Sequence, residues 1–170
     1  MSVIISIAPQ GADAAELARF FCANLSSQYI SHSELQSIRA LAPDKWAPDI
    51  EQQITDEIAA CLAQPAELRS SQNWNGVIQM HDAGRLVGLA IVLYQHDLPN
   101  TFGILEDVVV DQAVRGKGYG TLLINWLLDD MKKSSIQRAF LESGHHNHNA
   151  HRLFERVGFK PASVVLMKEL

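Results

Sequence analysis

Apolar residues recur along this chain at two spacings, and each spacing predicts a different element. A helical period marks residues 14–25, where Leu17, Phe20, Phe21 and Leu25 share a stripe, and residues 49–62, where Ile50, Ile54, Ile58 and Leu62 repeat every fourth position before Pro65 ends the run. A shorter helical pattern covers 31–41, and Pro43 and Pro48 punctuate the loop after it. From Thr121 onward the pattern turns helical again, with Tyr119, Leu123, Leu127 and Met131 in an i, i+4 series. Between these stretches lie short runs rich in β-branched residues. Residues 3–8, closed by Pro9, predict a first strand. Residues 75–81 and 85–94 flank Asp82-Ala83-Gly84, a hairpin turn in which Gly84 can take a positive φ. Residues 105–110 read as a short strand buried on both faces, 138–143 and 164–168 as two more strands, and 147–156 as a helix.

Composition narrows the class without naming the chemistry. A chain of 170 residues is the size of one domain and long enough to bury a core without staples. The sequence predicts a single domain over 1–170, with no repeat, low-complexity segment or boundary. No apolar run approaches the roughly eighteen residues of a membrane helix, and the start lacks the basic region of a signal peptide, so a cytoplasmic protein without a membrane partner is expected. Cys22 and Cys61 carry no CxxC spacing and predict free thiols. A formal charge of −5 argues against nucleic acid as a partner and is compatible with a cationic substrate.

The chemistry concentrates where the strand 105–110 meets Arg115-Gly116-Lys117-Gly118-Tyr119-Gly120 and a helix follows. Three residues without a Cβ let backbone N–H groups approach a ligand closely, and the start of the helix adds uncapped donors and a dipole that favour an anion such as phosphate. The spacing is not the G-x-G-x-x-G of a dinucleotide fold, and G-x-x-x-x-G-K-[ST] is absent. It fits [QR]-x-x-G-x-[GA], filled by Arg115, Gly118 and Gly120. Further on, residues 147–159, NHNAHRLFERVGF, fit N-x-x-A-x-x-[FL]-[YF]-x-x-x-G-F.

Together these two motifs resemble the GCN5-related N-acetyltransferase (GNAT) superfamily over about 104–170. The resemblance implies an α+β fold in the order β-α-α-β-β-β-α-β-α-β, with a mostly antiparallel sheet splayed after its fourth strand and helices on both faces. It also implies an acetyl-CoA-binding core at 101–170, a variable substrate side at 1–100, an amine as second substrate and, often in that family, a homodimer. Backbone N–H groups of Arg115, Gly116, Lys117, Gly118, Gly120 and Thr121 would hold the pyrophosphate, with the Arg115 and Lys117 side chains adding charge. The main chain of Val108 and Val110 would pair with the pantetheine arm, and the Val108 N–H would face the thioester oxygen. Asn147 would bond the arm or cap its helix, and Phe154 stands at the cofactor helix where many members place a tyrosine acid.

Acetyl transfer needs a neutral amine, yet an ammonium with a pKa near ~10.4 is free in only about one molecule in a few thousand at pH 7, a deficit of roughly 4–5 kcal/mol. Glu106 matches a glutamate that some small-amine members carry, as base, proton relay or ligand of the ammonium, while a structural ion pair is its bland alternative. Asp107 should face the other side of the sheet. His145, His146, His148 and His151 form a run that invites a metal, but they overlap the cofactor helix, so no metal is expected; His145 and His146 stand either in a solvated loop or near the thioester as an alternative acid or base. Trp46 either walls the amine site or packs locally. Because Phe154 has no hydroxyl, a non-catalytic acyl-CoA sensor stands beside the enzyme reading, as does an acetylator of proteins or peptides.

Overall fold

The computed structural model describes residues 2–170. In chain order its elements are β1 (Val3–Ile7), α1 (Ala14–Ala23), α2 (His32–Gln36), β2 (Ala40–Ala42), β3 (Lys45–Trp46), α3 (Ile50–Leu62), β4 (Trp74–Asp82), β5 (Arg85–Gln95), β6 (Phe102–Val110), α4 (Tyr119–Lys133), β7 (Arg138–Leu141) and α5 (His148–Arg156). They fall into two compact units. One comprises the chain up to Leu25 together with Pro48–Glu142, the other Ser26–Ala47 together with Ser143–Leu170.

The first unit holds a five-stranded sheet in the order β1-β4-β5-β6-β7. All neighbours run antiparallel except β6 and β7, which are parallel, as expected when α4 forms the crossover between them. The β4–β5 hairpin closes as the sequence predicts. Ala83 at φ 49° and Gly84 at φ 78° both take the left-handed region that a two-residue hairpin turn needs. Asp13 caps α1 by accepting from the N–H groups of Ala15 and Glu16, and α1 buries Leu17, Ala18 and Phe21. The predicted stripe of α3 is buried at Ile54, Ile58 and Leu62. On α4, Leu123 and Met131 lie against Gly88 of β5 and Gly103 of β6, where a Cβ would collide with Met80 or Met131. Beneath α4 the Tyr94 hydroxyl donates to Asp130 Oδ2 (2.9 Å), which also lies 3.4 Å from Arg69 Nε. This buried carboxylate raises the Tyr94 pKa after burial itself, because a phenolate beside it would be both desolvated and repelled.

In the second unit, the Ser31 N–H and hydroxyl both donate to Glu34 at the start of α2 (2.7 and 2.6 Å). The predicted helix over 31–41 stops at Gln36, and its remainder becomes the small β2–β3 ribbon. Ser37 ends the helix in extended backbone, its hydroxyl donating to the Glu34 carbonyl (3.1 Å) and accepting from Arg39 N–H (3.2 Å), and Pro43 disfavours helical backbone at Ala42. Tyr29 and Trp46 pack with ring centroids 6.1 Å apart. Gly144 seats residues 143–147 against this segment, for a Cβ there would lie 2.3 Å from the Gln28 carbonyl oxygen.

Two expectations are corrected. No strand forms at 164–168; nothing regular follows α5, and Val164, Leu166 and Met167 are 83%, 90% and 60% exposed. A β-branched run supplies strand propensity but not the hydrogen-bonding neighbour that a strand requires. Nor is the strand at 105–110 buried on both faces. It starts earlier, at Phe102, and Glu106 within it is exposed.

Candidate active site

The site is built where β6 parts from its neighbours. On the β5 side, Val92 pairs with Leu105 and Ile91 with Asp107, so Glu106 is the extra residue of a β-bulge. Residues paired across a ladder share a face, so Leu105 follows Val92 and Asp107 follows Ile91, and the bulge switches which residues of β6 look up or down. On the other side, pairing with β7 runs from Phe102↔Arg138 to Leu105↔Leu141 and stops. Glu106 is therefore the first residue past the stretch paired with β7 and the one residue skipped in the ladder with β5. The expected opposition of Glu106 and Asp107 is loosened by the bulge: both carboxylates act on the Cys61 thiol of α3, although Glu106 is exposed and Asp107 only 1% so.

The Asp111 N–H donates to the Val87 carbonyl (3.0 Å), so alternate residues 109 and 111 point toward β5, while Val108 and Val110 point their polar groups away from it. These are the two residues that the family resemblance assigns to a pantetheine arm. The Val110 carbonyl already accepts from Arg115 Nε (3.1 Å).

The glycine turn follows at once. Gly116 and Gly118 have φ of 78° and 89°, and a Cβ on either would meet no atom within 4 Å, so the turn is open. Gly118 is the N-cap of α4 and has no side chain with which to cap it. The first intrahelical bond runs from Leu122 N–H to the Gly118 carbonyl (3.1 Å), leaving the amides of Tyr119, Gly120 and Thr121 without a helical acceptor. Those donors suit an anion such as a pyrophosphate, and the residues present fit that group. The two cations are placed differently from the sequence expectation. Arg115 Nη2 donates to the Asn24 carbonyl (2.6 Å), and Lys117 Nζ donates to the Ala113 carbonyl (3.2 Å). Arg115 thus ties the turn to the end of α1 instead of reaching outward. Asn24 completes that joint, its Oδ1 accepting from Gln112 N–H (2.9 Å) and its Nδ2 donating to the Phe20 carbonyl (2.8 Å). Tyr119 is likewise engaged, its hydroxyl donating to Asp82 Oδ2 (2.5 Å).

Three carboxylates act on the Cys61 thiol. Burial first, then the charges of Glu57, Glu106 and Asp107, push the Cys61 thiol up to about 12. The sequence reading missed Glu57 and Cys61 as a set. Their i, i+4 spacing on α3 is visible in the sequence, but nothing local says that the Cys61 thiol is within reach of the charges of β6. The remaining predicted residues, Asn147 and Phe154, belong to the second unit. Asn147 caps α5, its Oδ1 accepting from Ala150 N–H (3.3 Å), and Phe154 packs edge-on against Phe159 at 6.2 Å. The histidine rings pair as His145–His146 and His148–His151, 5.0 and 6.0 Å between centroids. Among the described residues no three His, Cys, Asp or Glu side chains gather as a metal-ligand group, and no helix is long and apolar enough to cross a membrane.

The family model for the GNAT acetyltransferases matches residues 35–159, spanning the bulged strand, the glycine turn and α5. The chain belongs to the GNAT acetyltransferase family. Over 85 residues it is 33% identical to an uncharacterized N-acetyltransferase, YobR, of Bacillus subtilis strain 168, a match that covers 50% of this chain but only 33% of that protein. Solved structures agree on the fold. A transcriptional regulator from Bacillus halodurans C-125 superposes at a TM-score of 0.69 and 17% identity, over 99% of each chain. The putative acetyltransferase YycN of Bacillus subtilis gives 0.67 at 16% identity over 99% of each. A ribosomal-protein-alanine N-acetyltransferase from Brucella melitensis biovar Abortus 2308 gives 0.62 at 18% identity, over 99% of this chain and 100% of that one. The mixed sheet flanked by helices is thus the GNAT α+β fold, and acyl-CoA-dependent acetyl transfer is the chemistry associated with the family.

Proposed function

We propose that this GNAT protein transfers the acetyl group of acetyl-CoA to the primary amine of a small molecule. The observation that carries this reading is the position of Glu106, exposed on a bulge where β6 has left β7 and followed by an open glycine turn. Bound here, acetyl-CoA supplies an activated acyl carbon and a thiolate leaving group. The amides of Tyr119, Gly120 and Thr121 hold its pyrophosphate, and the outward main chain of Val108 and Val110 pairs with its amide-bearing arm. Lys117 contributes positive charge near the turn and Arg115 holds the turn's shape.

Glu106, the exposed carboxylate of the bulge, attracts an ammonium. Glu106 takes one proton from that ammonium, and the neutral nitrogen then forms the C–N bond as the C–S bond breaks. The Val108 N–H is the donor for the acyl oxygen. Phe154 cannot supply a proton to the thiolate; the second proton, shed by the amide nitrogen once the C–N bond has formed, passes through water to the departing thiolate, whose ordinary thiol pKa of about 8.5 makes it a tolerable leaving group.

A turnover assay with acetyl-CoA and a panel of diamines, aminoglycosides, amino acids and peptides tests the proposal. It predicts thiol release with at least one small amine. Binding of acetyl-CoA without thiol release for any acceptor would replace it with an acyl-CoA sensor, and release with peptides alone would move the substrate class.

A further inference from the structure

The glycine turn before α4 is gripped at both ends by the hairpin that joins β4 to β5. Asp82 and Arg85 are the last cross-strand pair of that hairpin, with only Ala83 and Gly84 between them. Directly opposed residues of an antiparallel pair stand on one face, so their side chains leave the hairpin together. They reach opposite ends of one segment. Arg85 Nη1 donates to Asp111 Oδ2 (2.8 Å), before the glycines, and Asp82 Oδ2 accepts from the Tyr119 hydroxyl (2.5 Å), after them.

Each end passes the restraint to the main chain. Asp111 Oδ1 accepts from the Ala113 N–H (2.8 Å), and the Asp111 N–H is itself held by the Val87 carbonyl. Tyr119 is the first residue of α4, and its amide is one of the three that lack a helical acceptor. Between these ends Gly116 and Gly118 carry no side chain that could stiffen the backbone. Donors already fixed in place bind an anion more tightly than donors that must be ordered on binding. The two arms differ in strength. The Arg85 side chain is 59% exposed and that of Asp111 19%, so solvent screens their ion pair. Tyr119 is only 4% exposed and its hydroxyl donates to a carboxylate, which makes that bond the stronger arm.

We propose that Asp82 is a positioning residue for the cofactor: by holding Tyr119 it fixes the amides at the start of α4 in the geometry that receives the pyrophosphate, with Arg85 as a weaker second arm. This rests on acetyl-CoA binding at the glycine turn. It is tested by the Kd of acetyl-CoA for the full chain, measured by titration calorimetry beside the unfolding temperature without ligand. Asp82→Ala and Tyr119→Phe should each raise Kd roughly three- to tenfold, and the double variant no further, because both remove one bond. Tyr119→Phe, which changes no packing volume beyond the hydroxyl, carries the test if Asp82→Ala does not fold. Asp82→Asn keeps an acceptor and should hold Kd near the native value. Tyr94→Phe loses a buried hydroxyl bond to Asp130, near the far end of α4, and should lower the unfolding temperature without changing Kd. A lowered unfolding temperature with native Kd in Tyr119→Phe would overturn the proposal, and so would additive losses in the double variant. No binding of acetyl-CoA by the native chain would instead overturn the proposed reaction, and this inference with it.

Discussion

At the scale of single residues, Cys61 is the most informative reporter, because it is buried on α3 yet senses both carboxylates of β6. Its thiol, ordinarily near 9.0, is pushed up to about 12 in the folded chain. The folded state therefore keeps a proton that the unfolded chain gives up above about pH 9, so the stability linked to this group is full below pH 9 and falls as the pH rises toward 12. The slope is on the order of 1 kcal/mol per pH unit while only the folded form is protonated. Urea unfolding at pH 8, 9.5 and 10.5 should show the native chain losing stability relative to Cys61→Ala over that interval; parallel curves would mean that the thiol is not held protonated. The comparison with the variant separates Cys61 from Tyr94, whose raised pKa acts from about pH 10 upward in both proteins. The same cause makes Cys61 slow to react with a disulfide reagent at pH 8, whereas Cys22, half-buried near the end of α1, should label first. Glu106 was legible as a candidate from its place before the glycine turn. Its bulge was not, because a bulge is a mismatch between two strands and is written in neither alone.

At the scale of elements, the corner between β6 and α4 was read from its glycines, and its openness follows from them. Gly118→Ala places a Cβ at φ 89° with no clash but with backbone strain, and should cost on the order of 1 kcal/mol in chemical denaturation. The same variant should weaken acetyl-CoA binding, because strain relief tilts the amides of Tyr119 and Gly120; unchanged affinity would remove the helix start from the binding site. What the glycine pattern could not convey is that Arg115 is a strut. Its partners, the Val110 and Asn24 carbonyls, are backbone groups, and Asn24 lies 91 residues away, beyond any local signal. Arg115→Lys should accordingly lower stability more than it lowers cofactor affinity, by about 1 kcal/mol for the hydrogen bonds lost, read by thermal unfolding with and without acetyl-CoA. Strand boundaries failed for a related reason. The run at 164–168 has the composition of a strand and no partner, whereas Ala40–Ala42 has weak propensity but Lys45–Trp46 to pair with.

At the scale of the whole molecule, the two sequence motifs and the family model agree, and the helical and extended periods located the five strands of the main sheet and the helices α1, α3 and α4 but not the β2–β3 ribbon, which adds a strand pair to the expected order. The acceptor's identity stayed outside the sequence because it depends on packing between segments far apart in the chain. Binding of acetyl-CoA should raise the unfolding temperature in proportion to the logarithm of its concentration, with about 2.7 kcal/mol of stabilisation at a hundredfold excess over Kd. The most direct measurement is the rate of thiol release by Glu106→Gln at saturating acetyl-CoA, using the best amine from the panel, across pH 6–10. The account predicts a loss of about 100- to 10,000-fold near pH 7, a rate that climbs with pH as free amine becomes available, and unchanged thermal stabilisation by acetyl-CoA. A variant with native rate and native pH profile would contradict it.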